Sequence, residues 1–220
     1  KGINSINSNA FKDCTELNDV KYNGYKKKKK KVRVNNAGND TLTSKVQYLC
    51  DINFDLDGGT INGSDTMATQ TVYSNEKLGT AKCYPNDQPF VVPTDPVREG
   101  YTFLGWYTQA EGGIKYTFTE AVSSNITLYA HWNAHSHTVT LENDENKEMN
   151  SYDYGSSVSV PTPTKKTGYN FNHWEVTVPD GETAPSLNGP DENGNYSFSM
   201  PDYDITLTAH WTQKDVIDPD

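Results

Sequence analysis

Three histidines lie close together in the middle of the chain, where His131, His135 and His137 follow the spacing H-x3-H-x-H. Imidazole nitrogens gathered at short spacing can bind a transition-metal ion. The structural alternative places His131 on the exposed face of a strand, with the other two in a linker and at the start of the next strand. His210 occupies the matching place in a related motif, without companion histidines. We favour the structural alternative and expect no metal site.

Two charged stretches are the other candidates for binding. A run of six lysines could contact heparin, an anionic glycan or nucleic acid; it comprises Lys26, Lys27, Lys28, Lys29, Lys30 and Lys31. No aromatic residue interleaves the run and no recognition fold follows it, so we expect a solvated surface and no nucleic-acid binding. Residues 55–59 resemble the start of a calcium loop, but a glutamate is absent where an EF-hand requires one. A turn after a strand is therefore the favoured interpretation.

Catalytic chemistry has no recognisable setting in this sequence. Acidic residues are numerous, yet none stands in a motif for acid–base work, and no Gly-rich phosphate loop is present. We expect no catalytic residue, no cofactor and no enzymatic activity. Cys14, Cys50 and Cys83 lack the spacing of a zinc site and are too few for a disulfide framework. A pair between Cys50 and Cys83 stays open.

The composition indicates small, mainly β domains with thin cores. The 220 residues suffice for two or three such domains, and aromatic residues, at 11 %, are too frequent for a disordered chain. Eleven Lys and Arg stand against four Asp and Glu up to Cys50, and eight against twenty-five after it. The acidic part would repel nucleic acid and anionic lipid. No stretch is apolar for long enough to cross a membrane, and no signal peptide is visible. The chain opens in the middle of a pattern, so we expect a piece of a longer protein.

An internal repeat is the strongest feature of the sequence. Three blocks recur in the same order: 93–96 with 161–164, 100–106 with 168–174, and 126–132 with 205–211. The second copy is longer between its blocks, in a Pro-, Gly- and Asn-rich stretch that reads as a loop. Order and similarity together predict two diverged copies of one module.

The blocks alternate between apolar and polar residues, which is typical of half-buried strands. Tyr101 and Phe103 share one face, and the alternation places Trp106 on the opposite face. In the closing block, Trp132 falls on the apolar face and His131 on the other. The predicted structural core is Tyr101, Phe103, Trp106, Ile126, Leu128, Trp132, Tyr169, Phe171, Trp174, Ile205, Leu207 and Trp211.

These motifs resemble a known family. The first copy opens with Phe-Asp-x-x-Gly-Gly-Thr at 54–60, continues with Gly-Tyr-x-Phe-x-Gly-Trp-Tyr, and closes with Leu-Tyr-Ala-His-Trp at 128–132. It is similar to the internalin B-repeat, also called the Listeria–Bacteroides repeat, over about 49–132. Residues 135–211 resemble a divergent member that lacks the Gly-Gly turn and has His173 before its Trp. The resemblance implies β-grasp-like modules that act as spacers or adhesive units in exported bacterial proteins.

The amino-terminal segment resembles a second family. Apolar residues at 3, 6, 10, 11, 17 and 20, with Cys14 among them, are similar to a BspA-like leucine-rich repeat, in which the cysteine is a buried free thiol. We therefore predict that 1–48 form the C-terminal end and cap of such an array. The first module then occupies 49–133, the second 134–212, and a tail 213–220.

The sequence leads to two hypotheses of function. In the first, the chain is a non-catalytic segment of an extracellular or cell-surface bacterial protein that spaces or presents an adhesive region and binds a host protein or glycan. In the second, it is a carbohydrate-binding accessory segment of a secreted multidomain enzyme, which an exposed strip of aromatic side chains would favour. Weak self-association through exposed sheet edges is a further expectation. We expect no membrane insertion in this segment.

Overall fold

The computed structural model describes residues 5–14, 20–22, 33–34, 39 and 46–214. It divides into two compact units. Unit 1 runs up to Val97 and from Phe103 to His131, and unit 2 comprises Arg98–Thr102 and the residues from Trp132 onward. The described residues are mainly β-strand, as the composition predicts, with one short 3-10 turn at Leu78–Thr80. The strands are β1 Ser5–Ile6, β2 Val20–Tyr22, β3 Arg33–Val34, β4 Val46–Asp55, β5 Gln70–Tyr73, β6 Lys82–Cys83, β7 Gln88–Pro89, β8 Tyr101–Tyr107, β9 Ile126–Ala134, β10 Ser136–Asn143, β11 Asn146–Asp153, β12 Ser157–Val160, β13 Tyr169–Thr177, β14 Tyr196–Ser199 and β15 Ile205–Gln213.

The sheet of unit 1 is built around its longest strand, β4. Its strand order is β7-β6-β5-β4-β9-β8, and β2 pairs with the first part of β4. β4 runs parallel to β9, with Ile52 opposite Ile126, and antiparallel to β5. Alternation along β4 buries Cys50, Ile52 and Phe54 on one face. The first and closing strands of the module are therefore neighbours in the centre of the sheet.

Unit 2 repeats this arrangement. Its main sheet has the order β11-β10-β15-β13, in which β10 and β15 are parallel, with Val139 opposite Ile205. A second sheet of β12 and β14 carries part of the core. The order β5-β4-β9-β8 in unit 1 and the order β11-β10-β15-β13 in unit 2 place equivalent strands in the same sequence. The repeat in the amino acids is thus a repeat in topology.

A local departure from regular strand geometry decides where the middle tryptophan of each module lies. In unit 2, the register between β13 and β15 shifts between Phe171 and His173, so one extra residue enters the strand. Phe171 and Trp174 therefore share a face, and their ring centroids are 5.7 Å apart. In unit 1 the corresponding rings of Phe103 and Trp106 are 5.6 Å apart, and Trp106 is only 4 % exposed. The strict alternation that placed Trp106 opposite Phe103 is wrong, because the strand departs from regular geometry at Gly105, whose φ is 132°.

The residues of the predicted core divide into two groups by burial. The fully buried ones are Trp106, Leu128, Trp174, Ile205 and Leu207. The half-buried ones are Tyr101, Phe103, Ile126, Trp132, Tyr169, Phe171 and Trp211. The closing tryptophans belong to this second group, although the Trp211 ring packs on Phe171 at 5.5 Å and its indole N–H donates to Asn143 Oδ1 at 3.1 Å.

Parallel strand pairs also organise the described part of the amino-terminal segment. Ser5 lies opposite Arg33 in the β1–β3 pair, and Val20 lies opposite Val46 in the β2–β4 pair. Asn39 is fully buried, accepts from the Phe11 N–H at 2.9 Å and donates to a backbone carbonyl at 2.7 Å. Cys14, which the leucine-rich-repeat resemblance implied to be buried, is instead exposed, because it follows a series of surface turns. The lysine run, Lys26–Lys31, lies outside the described residues.

The open question of a Cys50–Cys83 disulfide is answered by the strand register. Cys50 lies opposite Val72, and Val72 lies opposite Cys83, so a whole strand separates the two cysteines. Two strand spacings put their Cα atoms about 10 Å apart, which is too far for a disulfide bond. Both thiols are free, and burial raises the pKa of each, with Asp51 adding to the effect at Cys50.

The three thiols should differ in reactivity with a disulfide reagent such as DTNB. Cys14 is exposed and should react first, whereas Cys50 is 2 % exposed and has a raised pKa, so it should react only when unit 1 opens. Mass spectrometry of the labelled peptides over time identifies each thiol. Labelling of Cys50 as fast as Cys14 in the folded protein would contradict the placement of β4 in the core.

The two buried tryptophans should respond differently to replacement by phenylalanine. The Trp174 indole N–H donates to the Pro161 carbonyl at 3.3 Å, whereas the Trp106 indole N–H has no acceptor among the described residues. Trp174→Phe should therefore cost about 1 kcal/mol more than Trp106→Phe, while either alanine variant should cost roughly 3–5 kcal/mol. Urea unfolding followed by circular dichroism measures these losses. Equal losses in the two phenylalanine variants would refute the difference in hydrogen bonding.

Candidate functional site

The three clustered histidines of the sequence do not form one group. In unit 1, the His131 ring stacks on Tyr107 at 4.0 Å with an interplanar angle of 7°, and its Nε2 lies 2.8 Å from the Gln109 carbonyl. In unit 2, His135 and His137 meet an acidic residue from far along the chain, Asp202. His131 is thus a packing residue of its own strand, and the candidate site consists of the other two histidines and Asp202.

Both imidazoles contact the same carboxylate oxygen. His135 Nδ1 lies 2.7 Å and His137 Nε2 lies 2.8 Å from Asp202 Oδ1. The two rings meet edge to face, with centroids 6.3 Å apart. All three side chains are partly exposed, His137 the least at 21 %. The cluster is therefore accessible to a small ligand from solvent.

Parallel pairing brings these distant residues together. β10 and β15 run in the same direction and their pairing begins with Val139 opposite Ile205, so the residues just before this paired stretch meet at one end of the two strands. His137 precedes Val139 by two positions, and Asp202 precedes Ile205 by three. A sequence separation of 65 residues between His137 and Asp202 is closed in this way.

One further hydrogen bond and one longer polar contact orient the cluster. His135 Nε2 lies 3.1 Å from Thr102 Oγ1, and His137 Nδ1 lies 3.7 Å from Asp204 Oδ1. Asp204 is itself held by the Thr138 N–H, which donates to its Oδ1 at 2.7 Å. Each imidazole thus has a partner on the nitrogen that faces away from Asp202.

The pKa of Asp202 reflects this environment. Partial burial acts to raise the pKa, but hydrogen bonds from His137 and His135, together with their charges, outweigh it and hold the pKa below its usual value. Asp202 is consequently ionised at neutral pH. It also lines a pocket of about 520 Å³ whose other acidic residues are Glu99 and Glu182. The site and its surroundings are therefore negatively charged and attract cations.

The cluster is a property of the second copy. In unit 1, Asn125 Oδ1 accepts from the Asp51 N–H at 3.1 Å, just as Asp204 accepts from Thr138 in unit 2. By strand register, the positions of His135, His137 and Asp202 correspond in unit 1 to a tyrosine, a cysteine and a serine, which are Tyr48, Cys50 and Ser123. Both copies therefore have the hydrogen bond from a strand N–H to Asn125 or Asp204, but only the second copy has the His–His–Asp set.

The other sequence candidates have structural roles where they are described. Asp55 Oδ1 accepts from the Asp57 N–H at 3.0 Å, and Gly59 N–H donates to the Leu56 carbonyl at 2.9 Å, so residues 55–59 form a turn. In unit 2, His210 Nε2 lies 2.6 Å from Glu175 Oε2, and its ring stacks on His173 with centroids 5.0 Å apart. Sequence reasoning missed Asp202, although its place just before the closing strand was the available signal.

Comparison with known families accounts for most of the described chain. Residues 51–131 match the Listeria-Bacteroides repeat domain, and residues 137–215 match the Divergent InlB B-repeat domain. Both matched segments coincide with a copy of the shared strand order described above. The chain therefore carries two tandem modules of the Listeria-Bacteroides and InlB B-repeat type.

Individual relatives extend this result. The chain is 30 % identical over 164 residues to Internalin H of Listeria monocytogenes, which covers 74 % of this chain and 28 % of that protein. It is 36 % identical over 85 residues to a putative membrane protein of Evansella cellulosilytica, covering 37 % of this chain and 13 % of the relative. The chain thus spans under a third of these proteins. Within the described residues, no helix has the length and apolar character needed to cross a membrane.

The hydrogen bonds from a strand N–H to the side chain of Asn125 or Asp204, which lie at the start of each parallel pair, should contribute to stability. Asn125→Ala and Asp204→Ala each remove the acceptor of a strand N–H, and each should lower the free energy of unfolding by about 1 kcal/mol. Asp180→Ala, at an exposed loop position, is the control and should change little. Thermal denaturation of the three variants provides the comparison. If all three melt alike, the bonds contribute nothing to the central pair.

Proposed function

We propose that this chain is a non-catalytic segment of an exported bacterial surface protein, in which two β-modules space or present an adhesive region. The observation that carries the proposal is the tandem arrangement of two repeat modules with the same strand order, in a chain similar to Internalin H. A repeated module that keeps its topology while its surface residues change is suited to extending a protein by fixed increments.

Separate cores support the role of spacer. Unit 2 has its own buried cluster, which includes Val139, Trp174 and Leu207. Unit 1 has another, in which Phe54 packs against Trp106 with ring centroids 4.9 Å apart. Each copy therefore has the apolar interior that a small domain needs to fold by itself. In keeping with the family resemblance, we assign both modules a β-grasp-like fold.

The amino-terminal segment supports the proposal of a solenoid end. Ser5 and Arg33 are 28 positions apart in one parallel pair, and Val20 and Val46 are 26 positions apart in the other. Parallel strands that pair at a nearly constant separation in sequence are typical of a solenoid, and leucine-rich repeats have periods of roughly 20–29 residues. We assign 1–48 to the end of a BspA-like leucine-rich array on this basis.

The alternative role in carbohydrate binding has less support. Aromatic side chains stack on sugars when they line an exposed surface. Every Phe, Tyr and Trp in the described part of the chain is buried or half-buried. The exposed large apolar residues there are aliphatic or Met, with Val97 at 68 % and Ile114 at 76 %. Contact with a host protein through such positions fits the adhesive role better than a sugar-stacking strip.

Surface location is tested on bacteria that make the full-length protein. Antibodies raised against the purified chain should label intact cells, because the proposal places both modules outside the membrane. An antibody against a cytoplasmic protein, which should label only permeabilised cells, is the control. Labelling that requires permeabilisation would overturn the proposal.

The same purified chain separates the two roles on a glycan array. Absence of strong binding is expected for a spacer or protein-binding segment. Strong binding to a single class of polysaccharide would favour the accessory role in a secreted enzyme.

Sedimentation of the chain over a range of concentrations tests weak self-association through the exposed edge strand β11.

A further inference from the structure

We propose that His135, His137 and Asp202 form a binding site for a divalent transition-metal ion of the zinc class. Imidazole and carboxylate are ligands that zinc, copper and nickel accept in proteins. The three ligand atoms lie within 4.8 Å of one another, and they converge although they come from separate segments of unit 2. The proposal concerns a site of the second copy and is independent of the proposed role as a spacer.

The distances are close to those that a metal ion requires. Ligand atoms bound to a tetrahedral zinc ion at 2.0–2.1 Å are about 3.3 Å from one another. The nitrogens of His135 and His137 lie 2.7 and 2.8 Å from Asp202 Oδ1, so the carboxylate needs to withdraw by about half an ångström to reach the ligand spacing of zinc. Asp202 lies in the loop before β15, is one-third exposed, and lines the pocket of about 520 Å³. The loop therefore leaves room for this movement and for solvent to supply a fourth ligand.

The partners of the outer ring nitrogens are a second, independent indication. Histidines that bind metals almost always place their other ring nitrogen against a hydroxyl, carbonyl or carboxylate, which fixes the tautomer and the ring orientation. Thr102 Oγ1 has this place beside His135 at 3.1 Å, and Asp204 Oδ1 lies near His137 at 3.7 Å. The Thr138 N–H anchors Asp204, which contacts the His137 ring, and Thr102 contacts the His135 ring. Both rings are therefore oriented before an ion arrives.

Charge favours a cation at this place. Asp202 and Asp204 adjoin the two histidines, and Glu99 and Glu182 line the pocket that Asp202 shares. The imidazoles carry no negative charge, so the carboxylates supply the attraction for a cation. In unit 1, the corresponding positions are occupied by Tyr48, Cys50 and Ser123, and a site of this kind is not expected there.

Zinc titration of the full chain tests the proposal. Chelator-treated protein titrated with zinc sulfate in a non-coordinating buffer should bind one ion per chain by calorimetry. His137→Gln and Asp202→Asn should each weaken the zinc affinity at least tenfold, and Thr102→Val, which changes only a positioning residue, should weaken it about tenfold. The matched control is His210→Gln, which alters the exposed His210–Glu175 pair of the same unit and should leave the affinity unchanged.

A spectroscopic readout keeps the test independent of variant stability. In long-range ¹H–¹⁵N spectra of the wild-type chain, zinc should shift Nδ1 of His135 and Nε2 of His137, the nitrogens that face Asp202. Shifts confined to His173 and His210, equal affinity in His137→Gln and wild type, or absence of binding at millimolar zinc would each overturn the proposal.

Discussion

Parallel pairing between the first and the last strand of each copy is the interaction on which the rest of the structure depends. In unit 1, Ile52 faces Ile126, and in unit 2, Val139 faces Ile205. These pairs join the two ends of a module. The strand that follows the first strand and the strand that carries the middle tryptophan then flank the pair, as β11 and β13 do in unit 2. The pairs are also where apolar alternation is strongest, since Ile52, Leu128 and Leu207 are completely buried.

The same pairing explains the positions of the most informative side chains. The residues that precede the paired stretches of two parallel strands meet at one end of those strands. In both copies, the side chain of an Asn or Asp at this end accepts a hydrogen bond from a backbone N–H of the partner strand. In the second copy, this edge also gathers His135, His137 and Asp202. The two copies therefore share this hydrogen bond, while the adjacent side chains differ. The candidate site therefore lies where the two copies have the same backbone arrangement and different side chains.

Much of this fold could be predicted from the sequence, because short-range patterns carry it. The alternation in Ile-Thr-Leu-x-Ala-His-Trp is enough to identify the closing strands, and the recurrence of three blocks is enough to identify two modules. Trp106 was placed on the wrong face because strict alternation does not anticipate the irregular backbone at Gly105, which lies between Phe103 and Trp106. The meeting of His137 with Asp202 depends on a register between strands 65 residues apart, which alternation within one strand does not encode. His131 is only four residues from His135 in sequence. Its ring nevertheless stacks on Tyr107, because the pairing of strands decides its neighbours and sequence proximity does not.

Native-state hydrogen exchange measured by NMR tests the central role of the parallel pairs most directly. Amides that open only with the whole unit exchange most slowly. We expect the slowest amides of unit 1 in the paired stretches of β4 and β9, and those of unit 2 in the paired stretches of β10 and β15. Amides of the flanking strands β7 and β11 should exchange earlier. If β7 and β11 are as protected as the central pairs, the account of how each module is held together is contradicted.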